Sequence, residues 1–213
     1  MNALTAQLPT VLQESPIIAI IRGGKADRVL PVCETLVANG VRCLEVTTNT
    51  PGWQKAVATL STRDDLLVGV GTVLSVEHVE QSAAAGAQFL VSPDTNLLVG
   101  EAGIAAGMGW YPGALTPTEI VTAYRAGATA VKVFPASAMG GPSYLKNVLA
   151  PLDYIPLVPT GGVDLDTIPA YLAAGAVAVG LGSPLLGDAL KGGSLDDLAA
   201  RARTAVEAVS SRG

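Results

Sequence analysis

Short apolar runs rich in β-branched residues alternate, along the whole chain, with longer stretches of helical spacing. The runs read PIIAIIR (16–22), RCLEVTT (42–48), LLVGVGT (66–72), QFLVSP (88–93), GWYPGA (109–114), AVKVFPA (130–136), IPLVPTGG (155–162) and VAVGLGS (177–183). Apolar runs of this length, bounded by turn residues, predict strands. Segments between them close repeatedly on the same punctuation: Asn39-Gly40, Ala85-Gly86, Ala106-Gly107, Ala126-Gly127 and Ala174-Gly175. Glycine just past a last helical turn is the expected C-terminal cap. Helix starts are marked as well. Thr116-Pro117-Thr118-Glu119 offers a Thr cap, Pro in the first turn and a Glu to close a capping box. Ser75 with Glu77, and Asp164 before Leu165, serve similar ends.

Strands alternating with helices predict a parallel sheet. Eight such units, at roughly 25 residues each, predict an α/β fold of one domain, a single (β/α)8 TIM barrel. The expected layout is a short N-terminal helix over 1–15, the barrel over 16–184 and a C-terminal helix over 185–213. A doubly wound dinucleotide-binding sheet is the competitor. Its G-x-G-x-x-G turn is missing, because the first strand runs into Arg22-Gly23-Gly24-Lys25.

Side chains alternate between the faces of a strand. On the second run Leu44, Val46 and Thr48 share one face, and Cys43, Glu45, Thr47 and Asn49 share the other. The apolar set belongs under the helices, so Glu45 points inward. The sixth run splits the same way: Val131 and Val133 face outward, Lys132 and Phe134 inward. Of the eight glutamates and five lysines in the chain, Glu45 and Lys132 are the only ones inside a strand run. Barrel interiors stack in layers drawn from alternate strands, and strands two and six are both even, so the two can meet. One reading is a buried structural ion pair, but desolvating two charges is a high cost for packing alone. The other is chemistry. Burial lowers an amine's pKa, and a neutral amine attacks carbonyls to form a Schiff base while a nearby carboxyl moves protons.

Composition narrows the partners. A net charge of −5 with 15% charged residues shows no basic face for nucleic acid. The mean hydropathy of +0.44 is high, yet the apolar runs are broken long before the roughly 20 residues of a membrane span. The first 15 residues lack the pattern of a secretory signal, and Cys33 and Cys43 have no C-x-x-C spacing, so a cytoplasmic protein with free thiols is expected. His78 is the only histidine and reads as a solvated helix residue. With no His, Cys or carboxylate cluster, neither a metal nor another cofactor is expected, and zinc-dependent aldol chemistry is disfavoured.

Other groups gather at the C-terminal strand ends, where barrel chemistry sits. Arg22 closes the first strand, either as a loop arginine or as a clamp for a carboxylate or phosphate. Thr72 closes the third. The last two strands end in Thr160-Gly161-Gly162 and Gly180-Leu181-Gly182-Ser183, as tight turns or as backbone N–H donors to a phosphate.

Taken in order, Leu44-Glu45-Val46-Thr47, Val70-Gly71-Thr72-Val73, Ser92-Pro93, Tyr111-Pro112-Gly113, Val131-Lys132-Val133-Phe134-Pro135-Ala136 and Pro159-Thr160-Gly161-Gly162 resemble the 2-keto-3-deoxy-6-phosphogluconate aldolase family. The resemblance implies a class I aldolase on a (β/α)8 barrel, assembled as a homotrimer and acting on a phosphorylated keto sugar acid. It makes Lys132 the Schiff-base lysine and Glu45 the general acid/base. It gives Thr72 the pyruvate portion and Gly161, Gly162, Gly182 and Ser183 the phosphate, with Pro93 and Phe134 in the substrate-binding set. The products implied are pyruvate and glyceraldehyde 3-phosphate. The chain departs from the phosphogluconate branch at Asn49, where that branch often has an arginine associated with the pyruvate carboxylate, and Arg22 is the candidate substitute. Ser137 replaces a glutamate often found there. The stretches Ile20-Ile21-Arg22-Gly23 and Asn49-Thr50-Pro51-Gly52-Trp53 look more like the 6-phosphogalactonate branch, which leaves both epimers, and 4-hydroxy-2-oxoglutarate, as substrates. A phosphate-binding isomerase using Glu45 as base, and a non-catalytic sugar-phosphate binder, are the competing functions.

Overall fold

The computed structural model describes residues 8–210. Nine strands run parallel: β1 Ile17–Ile21, β2 Cys43–Thr47, β3 Leu67–Gly71, β4 Phe89–Val91, β5 Gly109–Tyr111, β6 Gly113–Ala114, β7 Val131–Val133, β8 Leu157–Pro159 and β9 Val179–Leu181. They form a six-stranded sheet in the order β5-β4-β3-β2-β1-β9 and a three-stranded sheet in the order β6-β7-β8. The fifth predicted run divides into β5 and β6 at Pro112, which has no N–H for a ladder bond.

The helices are α1 Thr10–Glu14, α2 Ala26–Ala38, α3 Trp53–Leu60, α4 Val76–Ala84, α5 Leu97–Ala105, α6 Pro117–Arg125, α7 Pro142–Leu149, α8 Ile168–Ala173, α9 Ser183–Leu186 and α10 Leu195–Ser210. The predicted stops hold: Gly40, Gly86, Gly107, Gly127 and Gly175 all take positive φ. Thr116 and Glu119 close the expected capping box on α6.

Within the described residues, neither terminal region is one continuous helix over its expected span. Within the described residues the N-terminal one is α1 alone, and 1–7 and 211–213 lie outside them. The C-terminal region is three pieces: α9, a 3-10 turn over Ala189–Lys191 and α10. Gly187 and Gly192, both at positive φ, separate them. Among the described residues, no helix is long and apolar enough to cross a membrane.

The strands curl, and the alternation read from sequence sorts the core into two layers. Leu44, Val46, Val131 and Val133 belong to the larger cluster, between strands and helices. Cys43, Phe89, Tyr111, Ala130 and Val158 belong to a second, on the concave side. Leu12 of α1 packs into this second cluster and is wholly buried. Burying a leucine contributes roughly 1.5–3 kcal/mol, so α1 acts as a plug on the concave layer. The strands' opposite ends are left for chemistry.

Candidate active site

Glu45 on β2 and Lys132 on β7 both lie on the concave side, 2% and 3% exposed. Unlike Arg63, which pairs directly with Glu34 and Asp65, Glu45 and Lys132 make no contact ion pair with each other, although each feels the other's charge. Burial raises the Glu45 pKa above the usual carboxyl value, against the opposing charges of Lys132 and Arg22. Burial lowers the Lys132 pKa; the Arg22 charge lowers it further and the Glu45 charge opposes. Both shifts favour neutral forms: an amine with a free lone pair, and a carboxylic acid able to donate. Lys132 Nζ lies 4.9 Å from the centroid of the Phe134 ring.

Strand glycines make room for the carboxyl. A Cβ on Gly71 would overlap Glu45 Oε1 and fall 2.6 and 2.8 Å from Glu45 Cδ and Cγ. Within the described residues Oε1 has no hydrogen-bond partner, which leaves its lone pairs free for a substrate proton. The next residue, Thr72, has φ +59°. That left-handed backbone is strained for a β-branched side chain, by about 1–3 kcal/mol. It is held from two sides. Thr48 Oγ1 donates to Thr72 O at 2.8 Å, and Arg22 Nη2 reaches Thr72 Oγ1 at 3.5 Å.

A cavity of about 430 Å3 opens at the strand ends. Arg22, Phe134, Gly161, Gly162, Gly182 and Ser183, all named from sequence, line it together. Pro93 instead lines a neighbouring cavity of about 410 Å3, with Asp94 and Glu119, and Phe134 borders both. Asn49 is exposed beyond β2, its Oδ1 2.7 Å from Thr47 Oγ1, and it lines neither cavity. His78 is half-buried, not freely solvated; its Nδ1 accepts the Leu74 N–H at 3.3 Å and so ties down the loop after Thr72.

Four contributors have no role in the sequence reading: Gly71 and Thr160, which appear only within its motifs, and Thr48 and Lys191. The alternating glycines of Val68-Gly69-Val70-Gly71 were a usable signal, since missing inward side chains imply large inward neighbours. Gly69 gives its space to the Phe89 ring as Gly71 does to Glu45. Thr160 and Lys191 line the larger cavity. Nothing in the local sequence brings Lys191 there, because the turn after α9 does so.

Glu45, Lys132 and Thr72 do not line the larger cavity themselves; Arg22, whose charge acts on both Glu45 and Lys132, does, and a buried amine and carboxyl on one concave face suit chemistry on carbonyl compounds. Comparison with known proteins makes the class specific. Residues 8–200 match the family model described as KDPG and KHG aldolase, and the chain belongs to that family of lyases. It is 36% identical over 163 residues to the 2-dehydro-3-deoxy-phosphogluconate aldolase of Treponema pallidum, covering 76% of this chain and 78% of that protein. It is also 36% identical over 173 residues to the 2-dehydro-3-deoxy-6-phosphogalactonate aldolase of Escherichia coli, covering 80% of this chain and 84% of that protein. Among solved structures it resembles the KDPG aldolase of Legionella pneumophila with pyruvate captured as a covalent carbinolamine, at TM-score 0.85 and 29% identity, covering 97% of this chain and all of that one.

Proposed function

We propose that this chain is a class I aldolase that reversibly cleaves 2-keto-3-deoxy-6-phosphogluconate into pyruvate and glyceraldehyde 3-phosphate. The observation that carries the reading is the burial of Lys132 and Glu45 on one concave face, within range of each other's charge and both biased to neutral forms, in a member of this family. The covalent carbinolamine in the Legionella relative supports the same chemistry.

Lys132 Nζ attacks the C2 carbonyl while the Glu45 carboxyl protonates its oxygen, giving a carbinolamine. Loss of water gives the iminium. Glu45, now a carboxylate, takes the C4 hydroxyl proton as the C3–C4 bond breaks. The bond electrons pass into the iminium, leaving an enamine and the free aldehyde. Protonation at C3 and addition of water release pyruvate and restore the amine. Arg22 faces the substrate carboxylate with Thr72. The N–H groups of Gly161, Gly162, Gly182 and Ser183 face the phosphate. Pro93 lines only the neighbouring cavity beyond Phe134, and Asn49, which lines neither cavity, is given no contact in this scheme. No metal or cofactor enters this scheme.

The 6-phosphogalactonate epimer is the second substrate reading. The relative named for it is as similar to this chain, at 36%, as the one named for the gluconate series.

We further infer that the two sheets close into one (β/α)8 barrel forming a single domain. The parallel bridge Thr160–Gly180 and the 3.0 Å bond from Val177 N–H to Leu157 O support closure between β8 and β9. The 2.8 Å bond from Thr129 N–H, just before β7, to Trp110 O on β5 supports it on the other side. Leu74, Val76, Leu97 and Leu98 are exposed at loop and helix starts, an apolar surface suited to contact between copies, and the family resemblance makes a homotrimer the assembly proposed. Sedimentation showing a monomer would remove that element. Buried free Cys33 and Cys43 suit the reducing cytoplasm.

The direct test is borohydride reduction with pyruvate. Mass spectrometry should find one reduced pyruvyl adduct, on Lys132. Turnover without trapping would favour an isomerase, and binding without turnover a passive binder. Either result overturns the mechanism. Parallel assays of both epimers and of 4-hydroxy-2-oxoglutarate fix the substrate.

A further inference from the structure

The two cavities flanking Phe134 are nearly equal in size and opposite in charge. The larger has Arg22 and Lys191 in its lining and no aspartate or glutamate. The smaller has Asp94 and Glu119 and no lysine or arginine. In a chain of net charge −5, a cavity whose charged side chains are all cations marks where an anion is drawn in. Arg22 is committed to the reacting end. Its charge acts on both Glu45 and Lys132, and its Nη2 reaches Thr72 Oγ1. Lys191 is the other cation, and it shares the cavity with the glycine rim.

The turn that carries Lys191 is built, not loose. Arg28 spans it, with Nε donating to Ala189 O at 3.0 Å and Nη2 to Gly193 O at 2.7 Å. The Lys191 N–H donates to Asp188 O at 2.8 Å, and the Lys25 N–H to Leu190 O at 3.0 Å. Gly24 lets the turn sit tightly, since a Cβ there would fall 2.5 Å from Leu190 Cβ. An isolated exposed lysine gains little from an ion pair, partly because ordering its long side chain costs entropy. Fixing the backbone on both sides of Lys191 holds the root of its side chain against this cavity.

We propose that Lys191 is a specificity-determining residue that pairs with the distal phosphate of the substrate and sets the preference for phosphorylated over unphosphorylated keto acids. This rests on the aldolase reading above. The glycine N–H groups supply direction to the phosphate oxygens, and Lys191 supplies the opposing charge.

The test compares kcat/KM for 2-keto-3-deoxy-6-phosphogluconate and its unphosphorylated counterpart in wild type, K191M, K191R and K191E. The ratio of the two should fall about tenfold in K191M, as for a partly exposed charge-assisted contact, through KM. It should fall further in K191E and largely return in K191R. The deficit should shrink as added salt screens the pair. Competitive inhibition by inorganic phosphate should weaken in the same order. A wild-type enzyme with no preference for the phosphorylated acid would overturn the phosphate reading itself. A wild-type preference that K191M leaves intact would overturn the role of Lys191 alone.

Discussion

The reacting centre and the anion rim occupy one end of the same sheet but are built from opposite materials. Glu45 and Lys132 are side chains fixed by strand alternation, almost without solvent, and each depends on desolvation for its chemistry. The rim is backbone and turn: Gly161 and Gly162 at φ +85° and +74°, the open-sided Gly182, and an exposed lysine. The first region can afford few changes because burial amplifies every displaced charge. The second is graded, because each solvated contact adds a modest increment. Damage should therefore be catastrophic in one place and incremental in the other.

The sharpest break is K132M, which removes the nucleophile and keeps an apolar side chain of similar length. Activity should fall about 10^4-fold or more, as when a covalent nucleophile is lost, and borohydride should trap no adduct. Residual activity within tenfold of wild type would show that the amine is not the attacking group.

Next comes G71A, which tests whether the carboxyl's position is set from the adjacent strand. Gly71 has no positive φ, so its backbone accepts alanine. The three atoms nearest a new Cβ all belong to Glu45. Displacing the carboxyl by about 1 Å should cost on the order of 10^2-fold in kcat. In an E45A background G71A should cost almost nothing further, since the clash is gone. Additive losses would mean that Gly71 serves packing and not Glu45.

G162A probes the rim. Alanine is strained at φ +74°, and its Cβ would overlap Ser137 Oγ. A shifted turn should raise KM for the phosphorylated substrate about tenfold, roughly 1.4 kcal/mol of lost binding, with kcat nearly kept. A loss confined to kcat would erase the distinction between the regions.

The same division explains what the sequence could show. Glu45 and Lys132 stood out because a period of two is rigid: with Val131 and Val133 on the helix side, Lys132 has one direction left. The helix stops were equally plain, since Gly40 or Gly127 in the left-handed region is a local property. Rim glycines were visible as residues, but the cavity they share with Lys191 was not. That sharing depends on Arg28 holding a turn 161 to 165 residues away in the chain. Thr48 was assigned to the outer face by alternation, yet its hydroxyl reaches Thr72 O because the ladder ends at Thr47 and the chain turns. Pro112 splits a strand that periodicity read as continuous. Legibility stopped where geometry ceased to be periodic.

The smallest expected effects are shifts in pH dependence, and they test whether the buried pair is coupled to the rim through Arg22. Trapping of saturating pyruvate requires neutral Lys132, so its acid limb follows the lysine pKa, already lowered chiefly by burial. The Arg22 charge lowers that pKa further, so R22M should move the limb to higher pH. The Glu45 charge raises it, so E45Q should move the limb to lower pH, besides slowing the reaction through loss of the acid. R22M should also raise the Glu45 pKa, keeping the carboxyl protonated to higher pH. Both limbs would then shift in the same direction in R22M. An acid limb that stays in place in both R22M and E45Q would mean that burial alone controls the amine, leaving Arg22 a ligand of the substrate and nothing more.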